Sequence, residues 1–289
     1  DVYVGMAGNQ SSYSLDGEGS LLSCANLYVG HQTMASFAQS GGEALAAQDI
    51  HVGHESGGYG TYSLSGGSLS AGGFVFVGST DSTGLLQLGG GTLSCGAGWL
   101  GVSAGSSVSG FGAVEAAVSS FGHLRVEGGT LTIEGACNSY GTASIEPGAA
   151  LQLKVDSAFE GSLINEGRLE VLTGRTHLNG GVTGGGDLSV AVGGELELAC
   201  ALGGQDMFVG GAALHGSGTA TLAGTVDVST GGQYLLQDSG RVVPGPLLLF
   251  DPPTALSTAG THVDGQFLHE GGTHASDQLY IGGPAGATY

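Results

Sequence analysis

Side chains able to bind a metal, move a proton or act as a nucleophile are sparse in this 289-residue chain: nine His, four Cys, 25 Asp and Glu, and five Lys and Arg. The most suggestive are His31 and His54, each directly after the Gly of a recurring Val-Gly pair, with His51 close by on the same short segment as Gly53. Two imidazoles brought onto neighbouring repeats are the start of a metal site; the same two on a wet face are a polar pair. The solvated pair is the default reading, so no metal site is assigned, and His31 and His54 are the candidates if a divalent cation binds. His262, His269 and His274 form a looser group read the same way. Cleaving a polysaccharide would need clustered carboxylates, usually beside cationic side chains. Residues 1–124 hold eight acids and no Lys or Arg, and only Asp16 and Glu18 are close in sequence. No Gly-x-Ser-x-Gly elbow in a strand-to-helix context and no His-Glu-x-x-His occurs, and the Gly-rich corners carry Ser or Thr where a calcium-binding nonapeptide array needs Asp. The reading is therefore non-catalytic, with no catalytic residue and no cofactor.

Composition narrows the field further. Sixty residues are Gly, charged residues are 10 % of the chain and the formal net charge is -20. Nucleic acid is excluded as a partner, because binding it requires cations that displace counterions from phosphate, and the first basic residue is Arg125. Six prolines and no Gly at every third position exclude collagen. Evenly spread Val, Leu, Ile and aromatics argue against disorder. The longest aliphatic cluster, Leu247-Leu248-Leu249-Phe250, is far short of a membrane-spanning helix.

What must position these residues is a repeat. Val2-Tyr3-Val4-Gly5 recurs as Leu27-Tyr28-Val29-Gly30, Ile50-His51-Val52-Gly53 and Val75-Phe76-Val77-Gly78, with a weaker copy at Trp99-Leu100-Gly101. The anchors Gly5, Gly30, Gly53, Gly78 and Gly101 are almost evenly spaced along the chain. Two further segments recur within each unit. One is Tyr13-Ser14-Leu15, Phe37-Ala38-Gln39, Tyr62-Ser63-Leu64 and Leu86-Gln87-Leu88; the other is Leu22-Ser23-Cys24, Leu45-Ala46-Ala47, Leu69-Ser70-Ala71 and Leu93-Ser94-Cys95. A unit with three short alternating segments between Gly-rich corners cannot bury a core alone, but stacked copies can. The expected fold is an all-β parallel β-solenoid, or β-helix, with about three short strands per rung and roughly 12 rungs, coiling right-handed as parallel crossovers do. Residues 1–107 are the regular repeats, and 108–240 read as less regular rungs with different corners. Residues 241–289 read as a proline-containing loop or edge cover, with the break at 242–257, followed by a terminal partial repeat. The weakly helical 42–50 is placed as a strand by its position in the repeat.

Stacking then sorts the side chains. Val2/Val4, Leu27/Val29, Ile50/Val52 and Val75/Val77 must face inward, so Tyr3, Tyr28, His51, Phe76 and Trp99 form an outward ladder of rings. Such a ladder is either self-stabilising, a contact strip for another protein surface including a second copy, or a carbohydrate strip. Tyr13, Phe37, Tyr62 and Leu86 are read as core. Cys24 and Cys95 share a column three rungs apart, about 14 Å, beyond the roughly 7 Å limit for a disulfide. Buried free thiols are expected, with Cys137 and Cys200 unplaced.

Both termini fall inside repeat text. The chain opens directly on Val2-Tyr3-Val4 and closes on Leu279-Tyr280-Ile281-Gly282 followed by Ala287-Thr288-Tyr289. Val2, Val4, Leu279, Tyr280 and Ile281 are thus candidate longitudinal contacts. The chain reads either as a piece of a longer solenoid or as a subunit that pairs head to tail into open filaments.

The Tyr-Val-Gly text, and above all the stretch from Tyr62 to Ala71 (Tyr-Ser-Leu-Ser-Gly-Gly-Ser-Leu-Ser-Ala), resembles secreted bacterial β-solenoid repeat proteins, among them autotransporter-type passengers and exosortase-sorted surface proteins. The close resemblance covers residues 1–107. It implies display at the cell surface, adhesion or the building of extracellular fibres and matrix, without catalysis. Three functions follow in order of expectation: an extracellular structural protein that self-associates into a surface fibre or matrix; a monomeric adhesin stalk or glycan-binding passenger; and a polysaccharide-degrading β-helix enzyme. The partner is a second copy of the chain, with surface glycans and divalent cations as further candidates.

Overall fold

In the computed structural model, residues 1–198 are described apart from 7, 9, 185, 192 and 193; for 187, 190, 195–198 and 199–289 only strand backbone is described. The described residues are all-β, without a helix, and every strand pairing is parallel in the manner of a β-solenoid. The chain divides into two compact units, Asp1–Ser144 and Ile145–Tyr289.

The first unit stacks three columns of strands. In one, Val2–Val4, Leu27–Val29, Ile50–Val52 and Val75–Val77 pair in register, residue on residue. In the second, Ser11–Leu15, Met34–Gln39 and Tyr59–Leu64 do the same, and in the third Leu21–Cys24, Glu43–Ala46 and Ser68–Ala71. Three short strands per coil are therefore present, and 43–46 is strand rather than helix. From Thr83 onward the strands of one coil run together into Thr83–Val102 and Ser107–Ser120, with register shifts taking the place of open corners.

Alternation along these strands builds the core. Val29, Ile50, Val52, Val75 and Val77 are fully buried, as the repeat demands. Phe37, Tyr62 and Leu86 are equally buried, whereas Tyr13 on the first coil is 39 % exposed. Their rings pile up inside the solenoid: Tyr13 to Phe37 at 4.8 Å and Phe37 to Tyr62 at 4.6 Å between centroids. Gln39 occupies the Leu column and is buried, accepting a 2.5 Å hydrogen bond from the Tyr62 hydroxyl. Its amide nitrogen donates to the carbonyls of Gly42 and Ser68 at 3.1 and 2.9 Å, so the polar group is satisfied inside the core.

Three expectations need correction. Leu45 aligns by its text with the inward Leu22 and Leu69, but it faces outward, and Ala44 and Ala46 take the inward places. The pairing register sets Ala44 against Leu22 and Leu69, which leaves Leu45 opposite the outward Ser23 and Ser70. The small-residue column is accordingly Cys24, Ala46, Ala71 and Cys95. Strands Arg241–Val243, Leu247–Phe250 and Ala255–Thr258 run through the segment expected as a proline-rich loop, the four prolines falling in the intervals between them. Finally, the loosening after residue 101 is a change of period. Leu27 pairs with Ile50 and Ile50 with Val75 in the early coils, but Leu100 pairs with Val118 and Val118 with Cys137, so the later coils are shorter. In the second unit Ala150 pairs with Arg168, Arg168 with Asp187 and Asp187 with Asp206, which keeps the shorter period. Leu151, Leu153, Phe159, Leu169, Val171 and Leu178 form the core of that unit.

Cys24, Cys95 and Cys137 are free thiols; Cys200 lies outside the described residues. Burial pushes Cys95 up to about 11 and Cys137 up to about 12, so neither supplies a thiolate at neutral pH.

The corners set the limits of the stack. Gly53 has φ +73°, and a Cβ there would meet the Thr83 carbonyl of the next coil; Gly105 has φ +77° with open space around it. Gly53→Ala is expected to destabilise the protein by about 2–4 kcal/mol, combining left-handed strain and overpacking, and Gly105→Ala by only about 1 kcal/mol. Urea unfolding of the two variants measures the difference, and equal losses would mean that coil-to-coil contact does not constrain the anchor glycines.

Candidate functional site

The outward positions of the first column carry the most distinctive surface of the first unit. Because Val2, Leu27, Ile50 and Val75 pair in register, the residues after them stack as well. Tyr3 lies over Tyr28 at 4.7 Å and 5° between ring planes, Tyr28 over His51 at 4.9 Å and 5°, and His51 over Phe76 at 5.1 Å and 21°. These distances repeat the strand spacing, so the rings stand face to face along the solenoid and show their edges to solvent.

Trp99 is not the next member of the file. Gly101 pairs with Phe76, two residues on from the position assigned by the weak Trp99-Leu100-Gly101 copy. The indole instead folds over Gly101, where a Cβ would strike its ring, and meets Phe76 edge-on at 5.8 Å and 81°. Phe74, which the repeat did not single out, packs 5.6 Å from Phe76 and 5.4 Å from Trp99. The file therefore ends in a perpendicular cap, with Trp99 41 % exposed.

His31 and His54 flank the ladder. Each follows an anchor Gly, and the corner amides repeat from coil to coil: His31 N donates to Gly5 O, and His54 N to Gly30 O. Their rings consequently stack at 5.1 Å and 24°. Tyr28 packs edge-on against both, at 5.3 and 5.0 Å, and His51 edge-on against His54 at 4.4 Å. Glu55, read from sequence only as one of several scattered acids, reaches back one coil: its Oε1 lies 3.6 Å from His31 Nε2, and its Oε2 accepts a 2.7 Å hydrogen bond from Gln32. Position in the repeat held the signal, since Gln32 and Glu55 both follow the corner His. A shallow groove of about 280 Å³ runs beside His51, His54 and Phe76, below the roughly 300–1,000 Å³ of enclosed ligand pockets.

Electrostatics favour the neutral form of His51 and His54 and the carboxylate form of Glu55. Desolvation, then the neighbouring His54 and His31, drive His51 down to about 4 against a smaller opposing pull from Asp49. His54 is lowered by desolvation and by His31, with Glu55 opposing, and Glu55 is lowered chiefly by the Gln32 hydrogen bond. Burial, Tyr3 and Asp49 raise the Tyr28 hydroxyl above the usual phenol range.

Of the longitudinal candidates, Val2 and Val4 pair with Leu27 and Val29, and Val4 is buried. Strand Leu279–Ile281 pairs with Thr261–Val263, while the side chains of Leu279, Tyr280 and Ile281, like His262, His269 and His274, lie outside the described residues. Comparison of the chain with protein-family models, curated proteins and solved structures finds no match in any of the three.

His51 gives a pH test of the site. Its folded pKa lies below the unfolded value of 6.5, so the unfolded state binds the extra proton first. The stability contributed by neutral His51 is complete above pH 6.5 and is lost as pH falls toward 4. Thermal unfolding should show Tm rising with pH across this window, and His51→Phe, which keeps the ring stack, should flatten the rise. An unchanged slope in that variant would show that His51 is not held neutral by its neighbours.

Proposed function

We propose that this chain is a non-catalytic, extracellular structural protein, a right-handed solenoid of roughly 12 rungs, whose ring ladder is a lateral contact surface for a second copy. The observation that carries this reading is the in-register file Tyr3, Tyr28, His51 and Phe76, outward and uncharged on a chain of net charge -20. A second copy offers rings at the same strand spacing, so edges can interdigitate along the whole file. A surface not built of stacked strands would match that period only by coincidence.

Ring orientation weighs against the glycan-binding alternative. Sugars stack on the faces of aromatic side chains, but here the faces of Tyr28 and His51 are covered by their neighbours in the file. Only the Trp99 indole departs from the stack.

Repulsion between copies makes the assembly salt-dependent: association should strengthen as ionic strength or divalent cations screen the negative charge. Sedimentation velocity across a salt and calcium series should show growing oligomers, and electron microscopy should show fibres or sheets. Tyr28→Ser with Phe76→Ser removes two rings of the file without touching the core, and is expected to weaken association by about tenfold or more. A monodisperse monomer under every condition overturns the self-association reading; binding to a polysaccharide by that monomer, lost in Trp99→Ala, would establish the glycan reading in its place.

A further inference from the structure

We infer that His31, His54 and Glu55 form a binding site for a divalent transition-metal ion of the zinc class. One ligand atom from each residue lies within 4.8 Å of the others. A bound ion with bonds near 2.0–2.2 Å needs donor separations of roughly 3.3–3.5 Å, so binding must draw the three side chains closer together.

The three groups are held rather than merely close. The parallel imidazoles are fixed by corner amides on consecutive coils and wedged edge-on by Tyr28 and His51. The carboxylate is anchored through Oε2 by Gln32, which leaves Oε1 turned toward His31. That is the arrangement by which a second residue orients a metal-binding carboxylate. The imidazoles are also unsatisfied: Nδ1 of His31 and Nδ1 of His54 are buried with no hydrogen-bond partner. An imidazole whose buried ring nitrogen lacks a partner is poor at ordinary packing and good at coordination.

Donor type sets the ion. Two nitrogens and one oxygen suit zinc, and copper or nickel on the same grounds; calcium and magnesium take oxygen shells and should not compete. Glu55 is 48 % exposed, so the remaining coordination position opens to solvent. This inference stands independently of self-association, since it concerns the flank of the ladder and is read on dilute monomer.

The test is calorimetric titration of the chelator-treated 289-residue chain with Zn²⁺, with Co²⁺ as a spectroscopic probe. The expected result is a Zn²⁺ site and a Co²⁺ visible band that excess Ca²⁺ or Mg²⁺ leaves intact. His31→Ala and His54→Ala should each weaken it at least about tenfold, Glu55→Gln should weaken it less, and His177→Ala, in the second unit, should leave it unchanged. Should an alanine variant lose its β-sheet circular dichroism, substoichiometric Cu²⁺ on the wild-type protein serves instead: NMR line broadening must begin at His31, His54 and Tyr28. No Zn²⁺ heat in the wild type, affinity unaffected by either His variant, or broadening that begins elsewhere overturns the inference.

Discussion

Coil-to-coil register is the constraint on which the rest depends. Parallel hydrogen bonding places each residue over its counterpart one coil away, as in Val2, Leu27, Ile50 and Val75. Every side chain therefore meets a neighbour at the strand spacing, and a favourable choice is rewarded at each coil while an unfavourable one is penalised at each coil. Rings profit, because aromatic pairs at 4.6–4.9 Å gain contact inside the core and outside it alike. Like charges suffer, which gives a physical reason for a chain in which only 10 % of residues are charged.

Where acids do occur, the neighbouring coil offers a donor. Gln32 donates to Glu55 at 2.7 Å, Gln152 to Glu170 at 2.6 Å, Asn179 to Glu160 at 2.9 Å, Asn26 to Asp1 at 2.8 Å and Ser40 to Asp16 at 2.8 Å. Each of these pairs joins residues one coil apart. Glu170 also pairs with Arg168 at 3.1 Å, but neutral donors serve these acids at every pair, which is consistent with the single Lys and few Arg of the chain.

The fold was legible because burial imposes one period on many residues at once. Val29, Val52 and Val77 repeat the same role, and their text repeats with them. Corners were less legible, since a corner may gain or lose residues without changing what its strands bury. Corner lengths differ between coils, so the text set Leu45 beside Leu22 and Leu69 where the register sets it beside Ser23 and Ser70, and the shortening of the coil after Leu100 hid the regularity of the later ones. The ladder was legible through Phe76 and failed at Trp99, because Gly101 takes the place opposite Phe76 and the indole comes from two residues earlier in the same strand. Glu55 was missed for a related reason: its partners His31 and Gln32 are a coil away, and no local pattern joins them.

The imidazole inside the ladder ties these strands of argument together. His51 fills a position held by Tyr28 and Phe76 on the adjoining coils and stacks on both as an aromatic ring. It can do so without charge because its surroundings favour the neutral form, and the His31–His54 pair beside it is among the causes. A cation at His31, His54 and Glu55 would place positive charge against the same ring and deepen that preference. The flank and the file are therefore not separate ornaments on the sheet. A ligand at the corner would bias the charge state of the ladder, and the route is one shared edge, the 4.4 Å contact between His51 and His54.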